Sequence, residues 1–235
     1  MVEPLTQCKQ TLRDITILAG VSSADLAQIE QKCSWRHYRP GELIIDYLDA
    51  SDDVFFLVLG EARVTIYSVA GKAVSFNELG PGEIFGEYPA IVGGARSASI
   101  EARTRCIIAS MSSSRFREIL NKEPSVALAL LAKFVSKIRS LTTRIYEFST
   151  LAANNRIQAE ILRLANSSPQ RGRSATISPS PTHAEIASRV SSHREAVTRE
   201  LNRLARLGVI ERQGESLVVR DINRLTEMVR DATGE

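Results

Sequence analysis

A chain of 235 residues is long enough for one large or two modest domains. Its 43% hydrophobic and 24% charged residues are those of an ordinary globular protein, and no run approaches the roughly 18 consecutive apolar residues a membrane span needs. The net charge of +3 is unevenly placed: residues 1–150 hold 17 Lys+Arg against 17 Asp+Glu, whereas 151–235 hold 13 Arg, no Lys and 10 Asp+Glu. Arginine's planar fork suits phosphate and guanine; a solvated surface is the alternative. Cys8, Cys33 and Cys106 are odd in number and scattered, which argues against a disulfide framework and fits a reducing cytoplasm. The opening MVEPLTQCKQTLRDI has no basic region followed by an apolar core, so no secretory signal is read.

Leu12, Ile15 and Leu18, then Leu26 and Ile29, recur at helical spacing and predict short helices over residues 8–33. From Trp35 to about Ile108 the texture changes to short strands. RPGELIIDY and GPGEIFGEY each carry Pro-Gly, the pair a type II turn favours at its central positions. Between them, VFFLVLGEARVTIYSVAGKAVSFNEL alternates apolar residues with turn signals at Gly60 and Ala70-Gly71. Strands at such regular spacing predict a compact β-roll or barrel.

Helical periodicity returns over about 125–166. Leu128, Leu131, Val135, Ile138, Thr142 and Ile145 follow spacings of three and four, a coiled-coil seam. A second stripe, Leu131, Phe134, Ile138, Leu141, Ile145 and Phe148, overlaps it. A helix apolar on so wide a face can serve both its own β-domain and a second copy of itself, so a homodimer is expected; a core helix internal to one domain is the alternative.

SSPQRGRSATISPSP (167–181) reads as a loop with at most one short strand. Thr182-x-x-Glu185 and Ser192-x-x-Glu195 have the form of capping boxes and mark two helix starts. Gly208 follows Leu207 where a C-terminal cap belongs, and VIERQGESLVVRD reads as two strands about Gly214. The pattern is that of a winged helix-turn-helix.

A short helix, a tight turn and a second helix place that second helix in the DNA major groove. Arg194, Glu195 and Arg199 lie toward its start, with Ser192 and His193 just before them, and all five are placed as DNA contacts. Arginine bonds bidentately to guanine O6 and N7, and glutamate accepts from cytosine N4. A surface helix with an internal Glu195–Arg199 pair is the alternative, but it explains neither the preceding helix nor the wing.

The stretch GEIFGEYPAIVGGARSASIEA (82–102) carries Gly86-Glu87 and, nine positions after the carboxylate, Arg96-Ser97. Arg96 can pair with a phosphate, Ser97 can donate to it, and backbone amides around Gly86 and Arg96 can add bonds. Glu87 accepts only; it repels phosphate but suits a ribose hydroxyl. Together these groups ask for a sugar hydroxyl beside an anionic phosphate. An Arg96–Glu87 ion pair bracing an empty loop is the other reading, and the residues alone leave both open.

The order β-roll, long helix, winged helix-turn-helix resembles the CRP/FNR family of bacterial transcription factors, and within it the cyclic-AMP receptor proteins, from about Leu12 to Leu225. FGE followed by RSAS is similar to the family's phosphate-binding cassette. The resemblance implies Glu87 on the ribose 2′-hydroxyl and Arg96-Ser97 on the cyclic phosphate, with Gly86 and the Ala98 backbone completing the site. HREAVTRELNRL resembles the recognition helix, implying that Arg194, Glu195 and Arg199 read a TGTGA-like half-site in an inverted repeat. The family's adenine contacts are adjacent Thr and Ser on the dimer helix. One offset places them on Leu141 and Thr142, and a one-residue slide on Thr142 and Thr143; Phe76 and Leu79 would line the base pocket. The cassette is one residue shorter than in the best-known members, and Ser191 stands in the turn where a glycine is common.

What the resemblance implies is therefore an α+β protein. Residues 1–124 would form a cyclic-nucleotide-binding β-roll, 125–152 a dimerisation helix and 153–235 a winged helix-turn-helix, with a hinge near Ala152–Asn155. Cyclic AMP or cyclic GMP would be the allosteric ligand, and double-stranded DNA, a second copy of the chain and RNA polymerase the partners, in the cytoplasm. Three scattered cysteines cannot supply an iron–sulfur cluster, which needs about four. His37, His183 and His193 fall outside the positions a haem pocket would use. GPGEIFG has the wrong spacing for a dinucleotide fingerprint. No nucleophile–base pair, metal constellation or cofactor is read, and no enzyme is expected. Two rivals are a same-fold regulator that is constitutive or senses another effector, and a cyclic-nucleotide-binding regulatory subunit acting through protein contacts.

Overall fold

The computed structural model describes residues 10–47, 49–67 and 73–233, with side chains described except at 67, 73–77 and 233. Cys8 and the Ala70-Gly71 turn lie outside the described residues. The chain divides into two compact units, Met1–Ser136 and Lys137–Glu235.

The first unit opens with a short 3₁₀ turn, Thr16–Leu18, and α1, Ser23–Gln31, whose Ser22 N-cap accepts from the Asp25 amide. Among the described residues eight strands follow: β1 Ser34–Tyr38, β2 Leu43–Ile45, β3 Val54–Leu59, β4 Ala62–Tyr67, β5 Ala73–Leu79, β6 Ile84–Phe85, β7 Ser99–Ala102 and β8 Cys106–Met111. They form two antiparallel sheets, in the orders β1-β8-β3-β6 and β2-β7-β4-β5, which is the expected β-roll. Successive strand side chains point to opposite faces. In β3, Phe55 and Leu57 therefore join the interior with Tyr38, Ile45, Phe85, Ile100 and Ile108, while Val54 and Phe56 join the outer core with Leu12, Ile15, Phe116 and Val126. A strand covered on both faces explains why VFFLVL is apolar throughout. Pro40-Gly41 and Pro81-Gly82 turn the chain as expected, with φ of 84° and 90° at the two glycines.

Two helices appear where none was read: α2, Glu87–Val92, between β6 and β7, and α3, Ser113–Lys122, after β8. Next comes α4, Pro124–Thr150. Val126 and Leu130 bury into the outer core, whereas Leu128, Leu131, Val135, Ile138, Leu141, Ile145 and Phe148 are exposed. The helix thus packs one face, with Phe134 of the second stripe partly buried against that core, and leaves the other apolar residues of both stripes exposed.

The helical run read over 125–166 is broken: Ala152 is extended, and α5 runs from Ala153 to Asn166. The segment after it holds two short strands rather than at most one, β9 Gln170–Arg171 and β10 Ser174–Ile177, because Gly172, at φ 62°, closes a hairpin. Then come α6 His183–Arg189, α7 Arg194–Arg206, β11 Ile210–Gln213, β12 Ser216–Val219 and α8 Ile222–Thr233, the last also unread from sequence. The sheet order β11-β12-β10-β9 backs a core of Ile157, Ile161, Ile186, Val197, Leu201, Leu204 and Leu225.

Thr182 and Glu185 make the expected capping box. The second box is a correction: α7 is capped by His193 without a side-chain bond, so Ser192 is not the cap. Ser191 takes φ 47°, the glycine-like conformation, and the Ser192 amide donates to the Ala187 carbonyl, so the turn consumes one residue more than the S-x-x-E spacing allows.

Candidate functional site

Gly86 ends β6 in the left-handed region, φ 77°, and the chain turns directly into α2 with Glu87 at its first position. A Cβ on Gly86 would stand 2.8 Å from Arg96 Nη1 and 3.0 Å from the Asp53 carbonyl oxygen. Only glycine fits both the backbone and the space.

Arg96 occupies that space. It is 3% exposed, lies 5.5 Å over the Phe55 ring, and donates from Nη1 to the Gly86 carbonyl at 2.9 Å. Its Nη2 donates to Ser51 Oγ at 2.8 Å and to the Asp53 carbonyl at 3.0 Å. Phe55 is itself stacked on Phe85, with centroids 5.2 Å apart. Nε is buried with no partner among the described residues. Burial pulls the guanidinium below its ordinary pKa against the opposing pull of Asp49, Asp53, Asp52 and Glu87. A cation so deeply placed, with one donor unsatisfied, is a candidate partner for an anion.

Glu87 is half-buried, and among the described residues no ion pair joins it to Arg96. The ion-pair alternative is therefore not what the cassette forms. Burial pushes the Glu87 carboxyl above its ordinary range, only partly offset by its own backbone N–H and by Lys133 and Arg96. Ser97 is exposed and Ala98 half-buried on the approach to β7. Leu79 is buried in the roll's interior; Phe76 lies in β5, its side chain outside those described.

Sequence reasoning missed Ser51, Asp53 and Phe55, the groups that hold Arg96. The signal open to it was the acidic run DASDD (49–53), a dense cluster of carboxylates just before β3.

On α4, Thr142 is exposed between Ile138 and Ile145, and its hydroxyl donates to the Ile138 carbonyl at 3.0 Å. Thr143 donates to the Arg139 carbonyl at 3.1 Å and lines a separate cleft with Ser140, Glu147, Arg163 and Asn166. The two threonines therefore face different surroundings.

In the second unit, α7 buries Val197, Leu201 and Leu204; Glu195 and Arg199 are exposed on the opposite face and Arg194 at the first position of the helix. Among the described residues no bond joins Glu195 to Arg199, so the internal pair of the alternative reading does not form. His193 is exposed and Ser192 half-buried at the helix entrance. Buried Glu200 fixes the inner face by accepting from Gln158 at 2.6 Å and from Arg203 at 2.9 Å. Arg156 on α5 holds the turn, donating to the Val190 and Ser191 carbonyls at 3.0 and 3.2 Å.

Among the described residues no cluster of His, Cys, Asp and Glu could hold a metal ion, and no helix is long and apolar enough to cross a membrane. Cys33 and Cys106 are free thiols; burial pushes Cys33 up to about 12.

Residues 35–123 match the family described as Cyclic nucleotide-binding domain, and 155–228 the Crp-like helix-turn-helix domain. The chain is 26% identical over 188 residues to the cAMP-activated global transcriptional regulator CRP of Pasteurella multocida, covering 80% of this chain and 90% of that protein. It is 22% identical over 215 residues to the CRP-like cAMP-activated global transcriptional regulator of Mycobacterium tuberculosis H37Rv, covering 91% and 96%. Among solved structures, the c-di-GMP responsive global regulator CLP of Xanthomonas campestris shares the fold with a TM-score of 0.69 at 16% identity, covering 84% of this chain and 99% of that one.

Proposed function

The chain belongs to the CRP/FNR family of DNA-binding transcription regulators, and on that premise we propose that it is a homodimer gated by a cyclic nucleotide, cyclic AMP before cyclic GMP. Its family consists of transcription regulators rather than enzymes. The observation that carries the effector reading is the cradle of Arg96: a buried guanidinium with an unpartnered Nε, beside a half-buried carboxylate that forms no pair with it. A cyclic phosphate would satisfy the first and a ribose 2′-hydroxyl the second, with Ser97 and the Ala98 backbone on the phosphate and Leu79 and Phe76 toward the base.

Thr142 favours adenine. Its hydroxyl proton is already committed to the Ile138 carbonyl, so it presents a lone pair. The adenine 6-amine donates to such a group, whereas guanine carries an acceptor, O6, at that position. Thr143, turned to another cleft, is the weaker partner.

The uncovered stripe from Leu128 to Phe148 is the surface for a second copy, making residues 125–152 the dimerisation helix between a sensor of residues 1–124 and a DNA-binding part of 153–235. Two-fold symmetry then sets an inverted repeat with TGTGA-like halves, read by Arg194, Glu195 and Arg199, with Ser192 and His193 at the groove edge. Effector must favour the DNA-competent dimer; moving a population from 1:99 to 99:1 takes a roughly 10⁴-fold preference. Such a regulator works in the cytoplasm and meets RNA polymerase on its promoters.

Calorimetric titration of the purified protein with cyclic AMP, cyclic GMP and linear AMP tests the reading. Binding of cyclic AMP but not AMP supports it. Binding of cyclic GMP instead reverses the base assignment, and binding of none rejects the nucleotide effector. The c-di-GMP responsive relative is the observation that favours a second reading, the same fold with a different effector.

A further inference from the structure

His183 is the first residue of α6, and its ring touches the recognition helix: Nδ1 lies 2.8 Å from Thr198 Oγ1. Thr198 in turn donates to the Arg194 carbonyl at 3.0 Å. A hydroxyl has a single proton, and here it is spent on that carbonyl. With the hydroxyl proton there, the imidazole is assigned as the donor of the pair, its proton on Nδ1. In the neutral ring Nε2 is then a bare lone pair, and it has no partner among the described residues.

The groups around this ring are cations. Arg194 on α7 and Arg212 on β11 both act on it, while Glu185, the nearest acid on α6, is turned back onto Thr182. The first helix of a helix-turn-helix crosses the DNA backbone while the second enters the groove. Three elements thus set Arg194 and Arg212 within electrostatic reach of His183, on the side that the helix-turn-helix reading turns toward the DNA backbone.

We propose that His183, between Arg194 and Arg212, is a DNA-phosphate contact that donates through Nε2 and therefore must take up a proton on binding, so that this protein's grip on DNA is linked to pH. The inference rests on the helix-turn-helix reading and not on the identity of the effector. Phosphate oxygens accept only, so a neutral ring with its proton on Nδ1 can give them nothing. Protonation turns the same nitrogen into a charge-assisted donor without disturbing the Thr198 bond.

The sign follows from the two states. In free protein, burial first, then Arg212 and Arg194, hold the ring below its ordinary value of 6.5, so it is neutral at neutral pH. An adjacent phosphate raises it. DNA affinity therefore climbs as pH falls from the bound-state pKa to the free-state pKa, by up to about tenfold per pH unit per protomer, and levels off outside that window.

The test is fluorescence anisotropy at fixed low salt, from about pH 6 to about pH 8, on two duplexes: one with a TGTGA inverted repeat and one of scrambled sequence. Full-length wild type, His183→Gln, His183→Arg and, as a control at an exposed histidine of the other unit, His37→Gln are compared. Wild type and His37→Gln should tighten toward low pH on both duplexes. His183→Gln should lose the slope, and His183→Arg should bind at high pH as wild type binds at low pH. Scrambled DNA showing the same His183-dependent slope, with no preference for the repeat, would sink the assumed half-site but leave the phosphate contact standing. A slope that survives in His183→Gln, no slope in wild type, or no DNA binding at all overturns the proposal.

Discussion

Arg96 Nη1 donates to the Gly86 carbonyl at 2.9 Å, in a space that exists because Gly86 has no Cβ. One residue of the cassette thus shapes the socket of another ten positions away. Gly86→Ala should force a left-handed alanine, a cost of about 1–2 kcal/mol before the clash with Nη1 and the Asp53 carbonyl is counted. The first unit's melting temperature should fall by about 5–10 °C. Arg96→Leu should instead keep the fold and lower nucleotide affinity about a hundredfold, because a charged hydrogen-bond partner is lost. Calorimetry on both variants separates the effects; normal nucleotide binding by Arg96→Leu removes it from the phosphate site.

If the proposed effector site is right, Glu87 should give nucleotide binding its own pH dependence. Its carboxyl is raised by burial in the free protein, and a ribose hydroxyl donating to it favours the ionised form. Binding therefore depresses the pKa. Nucleotide affinity should be flat near neutrality and fall as pH drops through the raised free-state value, above the ordinary 4.5. Glu87→Gln should bind about tenfold or more weakly at neutral pH and lose that fall. Parallel profiles for wild type and Glu87→Gln would assign the titration to another group.

Local chemistry was legible in sequence where one residue type solves one backbone problem. Pro-Gly at 40–41 and 81–82, Gly214 in the wing and the Thr182–Glu185 box all stand where read. The Ser192–Glu195 spacing failed because the same four-letter pattern does not reveal that Ser191 spends an extra residue in the turn. Helix α2 was hidden by its six-residue length, too short for a period to show beside Pro89, Ile91 and Val92. The holders of Arg96 were hidden for another reason: Ser51 and Asp53 lie 45 and 43 positions away, and no periodicity links them to it. A cassette motif names the ligand-facing groups, but not the groups that hold them.

Ile138 tests the dimer. It is 62% exposed midway along the uncovered stripe of α4. A charge there meets nothing buried in the single chain but would be desolvated against a second copy. Ile138→Asp should sediment as a monomer, with the intrinsic stability of each unit changed by less than about 0.5 kcal/mol. It should also lose its preference for an inverted repeat over a single half-site. An intact dimer would place the interface elsewhere.

Arg194 is exposed at the start of α7, where the proposed docking would bring it to a base edge. Replacing it with alanine should flatten selectivity at one guanine of each half-site by about 1–3 kcal/mol and leave affinity for scrambled DNA less affected. Selectivity unchanged across half-site variants would make it a phosphate contact instead.

Arg156 ties the end of α4 to the turn that aims α7. Nη1 donates to the Leu151 carbonyl at 2.7 Å, Nε and Nη2 to the Val190 and Ser191 carbonyls, and the guanidinium lies 5.7 Å over the Phe148 ring. Ser191 sits at φ 47°, a conformation that costs a non-glycine residue about 1 kcal/mol or more. The guanidinium therefore holds a strained turn in place, and a lysine, with one compact charge, cannot reach all three carbonyls. Arg156→Lys should destabilise the second unit by about 1–3 kcal/mol. Ser191→Gly alone should be neutral or stabilising, since it removes the strain. If Arg156 works by bracing that strain, the glycine should recover more stability in the Arg156→Lys variant than in wild type, a coupling above about 0.5 kcal/mol in the double-mutant cycle. Additive effects would mean that Arg156 contributes only its hydrogen bonds, and that the orientation of α7 is set by the buried Glu200 bonds instead.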